Sequence, residues 1–251
     1  MDYLLISPFV ALCVASYLLG SIPFGYILTK TFLKEDIRKS GSGNIGATNV
    51  LRTGKKSLAA ATLLLDGGKA AVASQLHFLL ILNLATAGDT VQYDPFKGLI
   101  LATLAALGHC FPIWLKFKGG KGVATALGAL LAAVPYAGLA ACATWLITAK
   151  ITKISSLSAL IAVLIAPIVT FFVYGVSPAG ICAMITLLVW IRHKDNIKRL
   201  LKGEEPKIGS KKKAWFPSTA AHGLSVLASW VFFDESRFPV VEEPQGASKY
   251  D

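Results

Sequence analysis

From Ile154 to Ile191 the chain carries no charged residue. A helix rises about 1.5 Å per residue, so this stretch is too long for one crossing of a hydrocarbon core of about 30 Å. It has to turn, and Tyr174-Gly-Val-Ser-Pro178 supplies the breakers that let it. Long uncharged runs of this kind are the signature of transmembrane helices. Composition agrees: 54% of the 251 residues are hydrophobic, 16% are charged, and the mean hydropathy is +0.60.

The basic residues fall in blocks between the apolar runs: Lys30–Lys56, Lys116–Lys121, Lys150–Lys153 and Arg192–Lys213. Loops charged in this way face the cytoplasm, so an even number of crossings must join each consecutive pair. The first run, Tyr3–Leu28, lacks a basic leader and is too long for the apolar part of a signal peptide, so it reads as a retained span. Ser57–Leu115 divides at Asn83–Phe96, around Asp89 and Asp94, into two spans. Gly122–Ala149 breaks at Pro135 into two short helices, and the uncharged run gives two more. The expected fold is all-α and polytopic, with seven transmembrane helices, the N-terminus outside and the C-terminus cytoplasmic. Residues 1–209 form one membrane domain. Residues 210–251 form a tail whose apolar stretch, Ala220–Phe233, is short for a span and reads as an interfacial helix. The net charge of +11 belongs to these loops, which argues against nucleic acid as a partner. Cys13, Cys110, Cys142 and Cys182 all lie in apolar runs without C-x-x-C spacing, so they read as small buried hydrophobes, and no metal site is expected.

This topology sorts the polar residues. Ser40-Gly-Ser-Gly-Asn-Ile-Gly-Ala-Thr-Asn-Val-Leu-Arg52 suits a loop whose N–H groups, hydroxyls and guanidinium surround an anion, although a plain Gly/Ser linker has the same composition. Gly119-Gly-Lys-Gly122, at the mouth of a helix, is a second anion cradle: glycines for close approach, a lysine for charge and the helix terminus for its dipole. His193 and Asn196 share a face at the end of the last membrane helix, where an imidazole can hold a hydroxyl or simply finish the helix. Together with Ser155-Ser-Leu-Ser158, these segments all fall on the cytoplasmic side and outline one site. Asp66 and Lys69, deep in the second span and three apart, read as a structural ion pair, and His109 as a core histidine behind the site.

The motifs Gly20-Ser-Ile-Pro-Phe-Gly25, Gly41–Asn49 with Arg52, Gly108-His-Cys-Phe-Pro112, Lys118–Thr125 and His193…Asn196…Arg199…Gly203 occur in order. Over roughly residues 10 to 208 the chain resembles the bacterial acyl-phosphate:glycerol-3-phosphate acyltransferases. The resemblance implies an enzyme of the inner membrane with its site on the cytoplasmic face. It would move an acyl group from acyl phosphate to the sn-1 hydroxyl of glycerol 3-phosphate, giving lysophosphatidic acid and phosphate without a cofactor. It places the glycerol phosphate clamp on Ser42, Arg52, Lys121 and Ser158. It sets Thr48 and the Gly119, Gly120 and Gly122 backbone toward the acyl phosphate, with Asn44 and Asn49 in the same substrate loop. His193, Asn196 and Lys121 are its catalytic set. Membrane lipid and the soluble enzyme that makes acyl phosphate are its candidate partners. The competing reading is a transporter of a phosphorylated metabolite, which would want basic residues continuing toward the outer face.

Overall fold

The computed structural model describes residues 8–84 and 92–208. The expected helix at Ala220–Phe233 and the middle of the outer loop lie outside them. Among the described residues ten α-helices follow in order: α1 (Pro8–Ser21), α2 (Phe24–Phe32), α3 (Ala47–Leu51), α4 (Lys56–Leu84), α5 (Pro95–Cys110), α6 (Val123–Ala133), α7 (Pro135–Thr152), α8 (Ser155–Tyr174), α9 (Val176–Arg192) and α10 (Lys194–Leu201). Single 3-10 turns lie at Ile37–Lys39 and Ile113–Leu115, and there is no strand among the described residues.

Helix ends fall where the residues require them. Asp94 caps α5 by accepting from Phe96 N at 3.0 Å and Lys97 N at 3.4 Å, with Pro95 in the first turn where its missing N–H costs nothing. Pro135 opens α7 directly after α6 closes at Val134, which is the break the sequence implies. The first apolar run departs from its expectation as a single helix, because Pro23 splits it into α1 and α2. The carbonyl freed at Ile22 accepts from Lys69 Nζ of α4 at 2.8 Å, so the break is satisfied from within the protein.

By length and apolarity alone, Pro8–Phe32 (across its break), Pro95–Leu115 and Ser155–Tyr174 can each cross a membrane. The pair α9 and α10, bent by 66°, makes a fourth if counted as one span. Helix α4 runs 29 residues but carries Asp66 and Lys69 in its interior, and α6 has only 11 residues. The outward faces are apolar, with Leu64, Leu146, Phe172 and Leu187 exposed, while the interior is built largely of alanine and glycine. Small residues let helices approach closely where no water drives them together. A Cβ on Gly20 of α1 would lie 2.1 Å from Ala105 O of α5, and one on Gly108 would lie 2.2 Å from Tyr17 O. A Cβ on Gly128 of α6 would meet Gly67 O of α4 at 2.2 Å.

Gly108→Leu should therefore force α1 and α5 apart and cost about 3 kcal/mol or more. Gly68→Ala, facing open space in the same bundle, should be neutral or stabilising by up to about 1 kcal/mol. Thermal unfolding of the two variants in detergent measures the contrast, and equal midpoints would refute the close-packing account.

Candidate active site

The Gly/Ser run is folded around one side chain. Asn49, on α3, is 2% exposed. Its Oδ1 accepts from Ser42 N at 2.9 Å, and its Nδ2 donates to Ile37 O at 3.1 Å, Ser40 O at 3.0 Å and Asn44 O at 2.8 Å. Gly41 (φ +60) and Gly43 (φ +73) are left-handed, and a Cβ on Gly41 would sit 2.3 Å from Asn49 Oδ1. Behind the loop, Gly25 of α2 lies so close that a Cβ there would be 1.9 Å from Ile45 O. The run is thus a tight turn closed by the short helix α3, not a flexible linker. Asn49 spends its amide on shaping that turn, and Asn44 turns its Oδ1 onto Ile45 N at 3.0 Å. Arg52 follows α3, and Thr48 Oγ1 stands 3.4 Å from Ser155 Oγ at the start of α8.

The second loop differs from its expected role. Gly119 N donates to Cys110 O at 3.2 Å and Gly120 N to His109 O at 3.0 Å, so neither N–H is turned toward a ligand. A Cβ on Gly120 would lie 2.0 Å from His109 Nε2, so glycine is needed there for close packing. The donors that remain are in the first turn of α6, where N–H groups have no intrahelical acceptor. In that turn the hydroxyl of Thr125 is buried without a protein partner. Behind the loop, Lys69 Nζ lies 3.0 Å from Asp66 Oδ1 and 3.1 Å from His109 Nδ1, all three residues being buried. The expected ion pair is there, with His109 as its third member.

A polar network joins the rest. Lys121 Nζ donates to Asn196 Oδ1 at 2.5 Å, and Asn196 Nδ2 donates to Glu205 Oε1 at 2.5 Å. The same Oε1 accepts from Ser156 Oγ at 2.7 Å, and Oε2 accepts from Arg199 Nε at 2.7 Å. Ile208 N reaches Lys153 O at 2.6 Å and anchors the segment that carries Glu205 across the α7–α8 turn. Ser158, fully buried, donates its hydroxyl back to Ile154 O at 2.8 Å. Glu205 was not singled out from sequence, and Ser156 was named only as part of the Ser155–Ser158 run, without a role of its own. The signal for Glu205 was two adjacent acidic residues, Glu204 and Glu205, inside a block that is basic apart from these and Asp195.

Electrostatics follow from burial and neighbours. Burial pulls Lys121 down to about 8; Glu205 opposes this, and the nearby charges of Arg199 and Arg52 add to it. His193, 2% exposed, is brought down to about 4, chiefly by burial. Its Nδ1 lies 2.7 Å from Val189 O, and a carbonyl can only accept. The proton therefore sits on Nδ1 and Nε2 is a bare acceptor. For Glu205, burial alone would raise the carboxyl, but hydrogen bonds from Ser156, Asn196 and Arg199 outweigh it and hold the group ionised. Arg199 is paired with Glu205, and Lys121 lies in the field of Arg199, Arg52, Glu205 and Asp195, so three cations meet two carboxylates and the surplus positive charge suits an anion.

A helical membrane protein with a polar, positively charged site where its helices break is the class that fold and site define. A sequence profile of the glycerol-3-phosphate acyltransferase family matches residues 10–203. The glycerol-3-phosphate acyltransferase of Rhodospirillum rubrum is 53% identical over 201 residues, covering 80% of this chain and 91% of that protein. That of Caulobacter vibrioides is 54% identical over 202 residues, covering 80% and 88%. Crystal structures of PlsY, an integral membrane glycerol 3-phosphate acyltransferase, superpose with a TM-score of 0.70 at 34% identity for the glycerol 3-phosphate form and 0.68 at 33% for the lysophosphatidic acid form. Both cover 80% of this chain and 96% of theirs. The chain belongs to the glycerol-3-phosphate acyltransferase family and is an acyltransferase.

Asn49→Asp should damage the Gly/Ser turn more than Asn49→Ala, because a carboxylate would face the three carbonyls that now accept from the amide. Each buried group left unpaired costs about 1–3 kcal/mol. Amide exchange over residues 40–46 should accelerate in both variants, more in the aspartate. Protection equal to the unmodified protein would show that Asn49 does not hold the turn.

Proposed function

We propose that this protein transfers a fatty acyl group from acyl phosphate to the sn-1 hydroxyl of glycerol 3-phosphate, releasing lysophosphatidic acid and inorganic phosphate. The observation that carries the reading is the bond from Lys121 to Asn196, with Arg52, Arg199 and His193 around it, in a chain of this family. Both substrates carry a phosphate, and the site holds more cations than it can neutralise. We place it on the cytoplasmic face of the bacterial inner membrane, beneath seven crossings with the N-terminus outside. Support comes from the basic blocks and from the succession of α1–α2, α4, α5, α6, α7, α8 and α9. Acyl phosphate arrives from a soluble enzyme, and the acyl chain stays with membrane lipid.

In this scheme the acceptor oxygen attacks the acyl carbon and the bond from that carbon to the phosphate oxygen breaks. Phosphate leaves with the electron pair and takes up the hydroxyl proton. The mixed anhydride is already activated, so the protein has no need of a covalent nucleophile. Its work is positioning and charge stabilisation. Arg52, Lys121 and Ser42 hold the glycerol phosphate, and Ser158 joins them if its hydroxyl turns from Ile154 O. His193 Nε2 accepts from a glycerol hydroxyl beside Asn196. Thr48 and the first turn of α6 after Gly122 receive the acyl phosphate. Gly119 and Gly120 shape that turn, as Asn44 and Asn49 shape the other.

Purified protein in lipid vesicles should release phosphate from acyl phosphate only when glycerol 3-phosphate is present. Arg52→Ala, inserted normally, should lose about 100-fold in turnover. Release that ignores glycerol 3-phosphate would overturn the assignment.

The proton gives a second test. His193 stays neutral until pH falls toward its lowered value of about 4, so kcat should hold to about pH 5, without a midpoint near the ordinary histidine value of about 6.5. If His193 only positions the acceptor, His193→Asn keeps most of kcat and raises KM for glycerol 3-phosphate. A general base would show a loss of about 10²–10⁴ in kcat instead, with KM little changed.

A further inference from the structure

Gly119 and Gly120 are the residue type least able to hold a conformation unaided, yet they deliver Lys121 to the site. Glycine is required there by crowding: a Cβ on Gly119 would lie 2.2 Å from His109 O and one on Gly120 2.0 Å from His109 Nε2. Rigidity has to come from outside the turn. On one side the two N–H groups are taken by Cys110 O and His109 O, and the His109 ring is steadied by Lys69. On the other side Arg192, the last residue of α9, donates Nε to Gly120 O at 3.1 Å and Nη2 to Gly119 O at 3.0 Å. Its guanidinium carbon lies 5.1 Å from the centre of the Phe111 ring. All four backbone polar groups of the two glycines are therefore held.

Arg192 is also the residue before His193, at the end of the helix that brings His193 and, one turn on, Asn196 into the site. We propose that Arg192 is a positioning residue for the reaction: it locks the Gly119–Gly120 turn to the end of α9 and so fixes Lys121 in register with His193 and Asn196. This rests on the acyl-transfer reading above. A planar fork can span two consecutive carbonyls, and a lysine ammonium, a compact point charge, does not reproduce it. The Phe111 face adds a cation–π contact that a neutral side chain would lose.

The test compares the unmodified protein with Arg192→Lys and Arg192→Gln in lipid vesicles, the lysine being the milder change should the glutamine variant fail to fold. A misplaced Lys121 loosens the glycerol phosphate clamp, so KM for glycerol 3-phosphate should rise about 10- to 100-fold in both variants. KM for acyl phosphate should rise as well, because Gly119 and Gly120 also shape the first turn of α6 that receives it. Amide exchange at Gly119 and Gly120 should accelerate while that of α4 and α8 does not. If Arg192 only stabilised the fold, fewer active molecules would lower Vmax and leave both KM values unchanged, and that result would overturn the proposal. So would an Arg192→Lys protein with its original KM and exchange. Should the unmodified protein show no turnover dependent on glycerol 3-phosphate, the acyl-transfer reading falls. Exchange at Gly119 and Gly120 still decides the clamp, and unaltered protection in the variants removes it.

Discussion

Near lipid, a backbone that leaves helical geometry has to find every hydrogen bond inside the protein. The site depends on that constraint, because it is built from helix breaks. Pro23 ends α1, and the freed carbonyl of Ile22 is taken by Lys69. The same lysine contacts Asp66 and His109, so a charge deep in α4 is matched rather than stranded. The carbonyl of His109 then accepts from Gly120 N. A buried ion pair that looks merely structural is therefore continuous with the loop that carries Lys121.

A second organising group lies on the opposite side. Glu205, whose side chain is only 7% exposed, collects Ser156, Asn196 and Arg199 on its two oxygens. A buried carboxylate is costly unless hydrogen-bonded, and three donors meet that cost here. Removing either neutral donor leaves a buried carboxylate oxygen short of a hydrogen bond, and removing Arg199 leaves its charge unmatched, so the network behaves as a unit. It also sets the polarity of Asn196: with Nδ2 given to Glu205, Oδ1 faces Lys121. An amide acts here as an adaptor between a carboxylate and an ammonium.

The sequence by itself determined that the chain is helical and membrane-bound, because uncharged runs such as Ile154–Ile191 leave the backbone few other choices. It also located the breaks at Pro135 and near Gly175, since proline and glycine act locally. The loops at 40–52 and 116–122 and the pair His193 and Asn196 were legible because glycine, lysine and histidine are conspicuous between apolar runs. What those loops do with their backbones was not legible. Asn49 turns its amide inward and the Gly119 and Gly120 N–H groups are spent on carbonyls no more than 12 residues away, through turns whose closure the residue types alone do not specify. Glu205 was hidden as well: within a basic block its charge reads as solvated surface, and only the anchoring of Ile208 on Lys153 carries it onto Asn196. Only the tertiary structure could decide these points, because a side chain's partner depends on which surfaces the packed helices bring within about 3 Å, and spacing along the chain does not encode that distance.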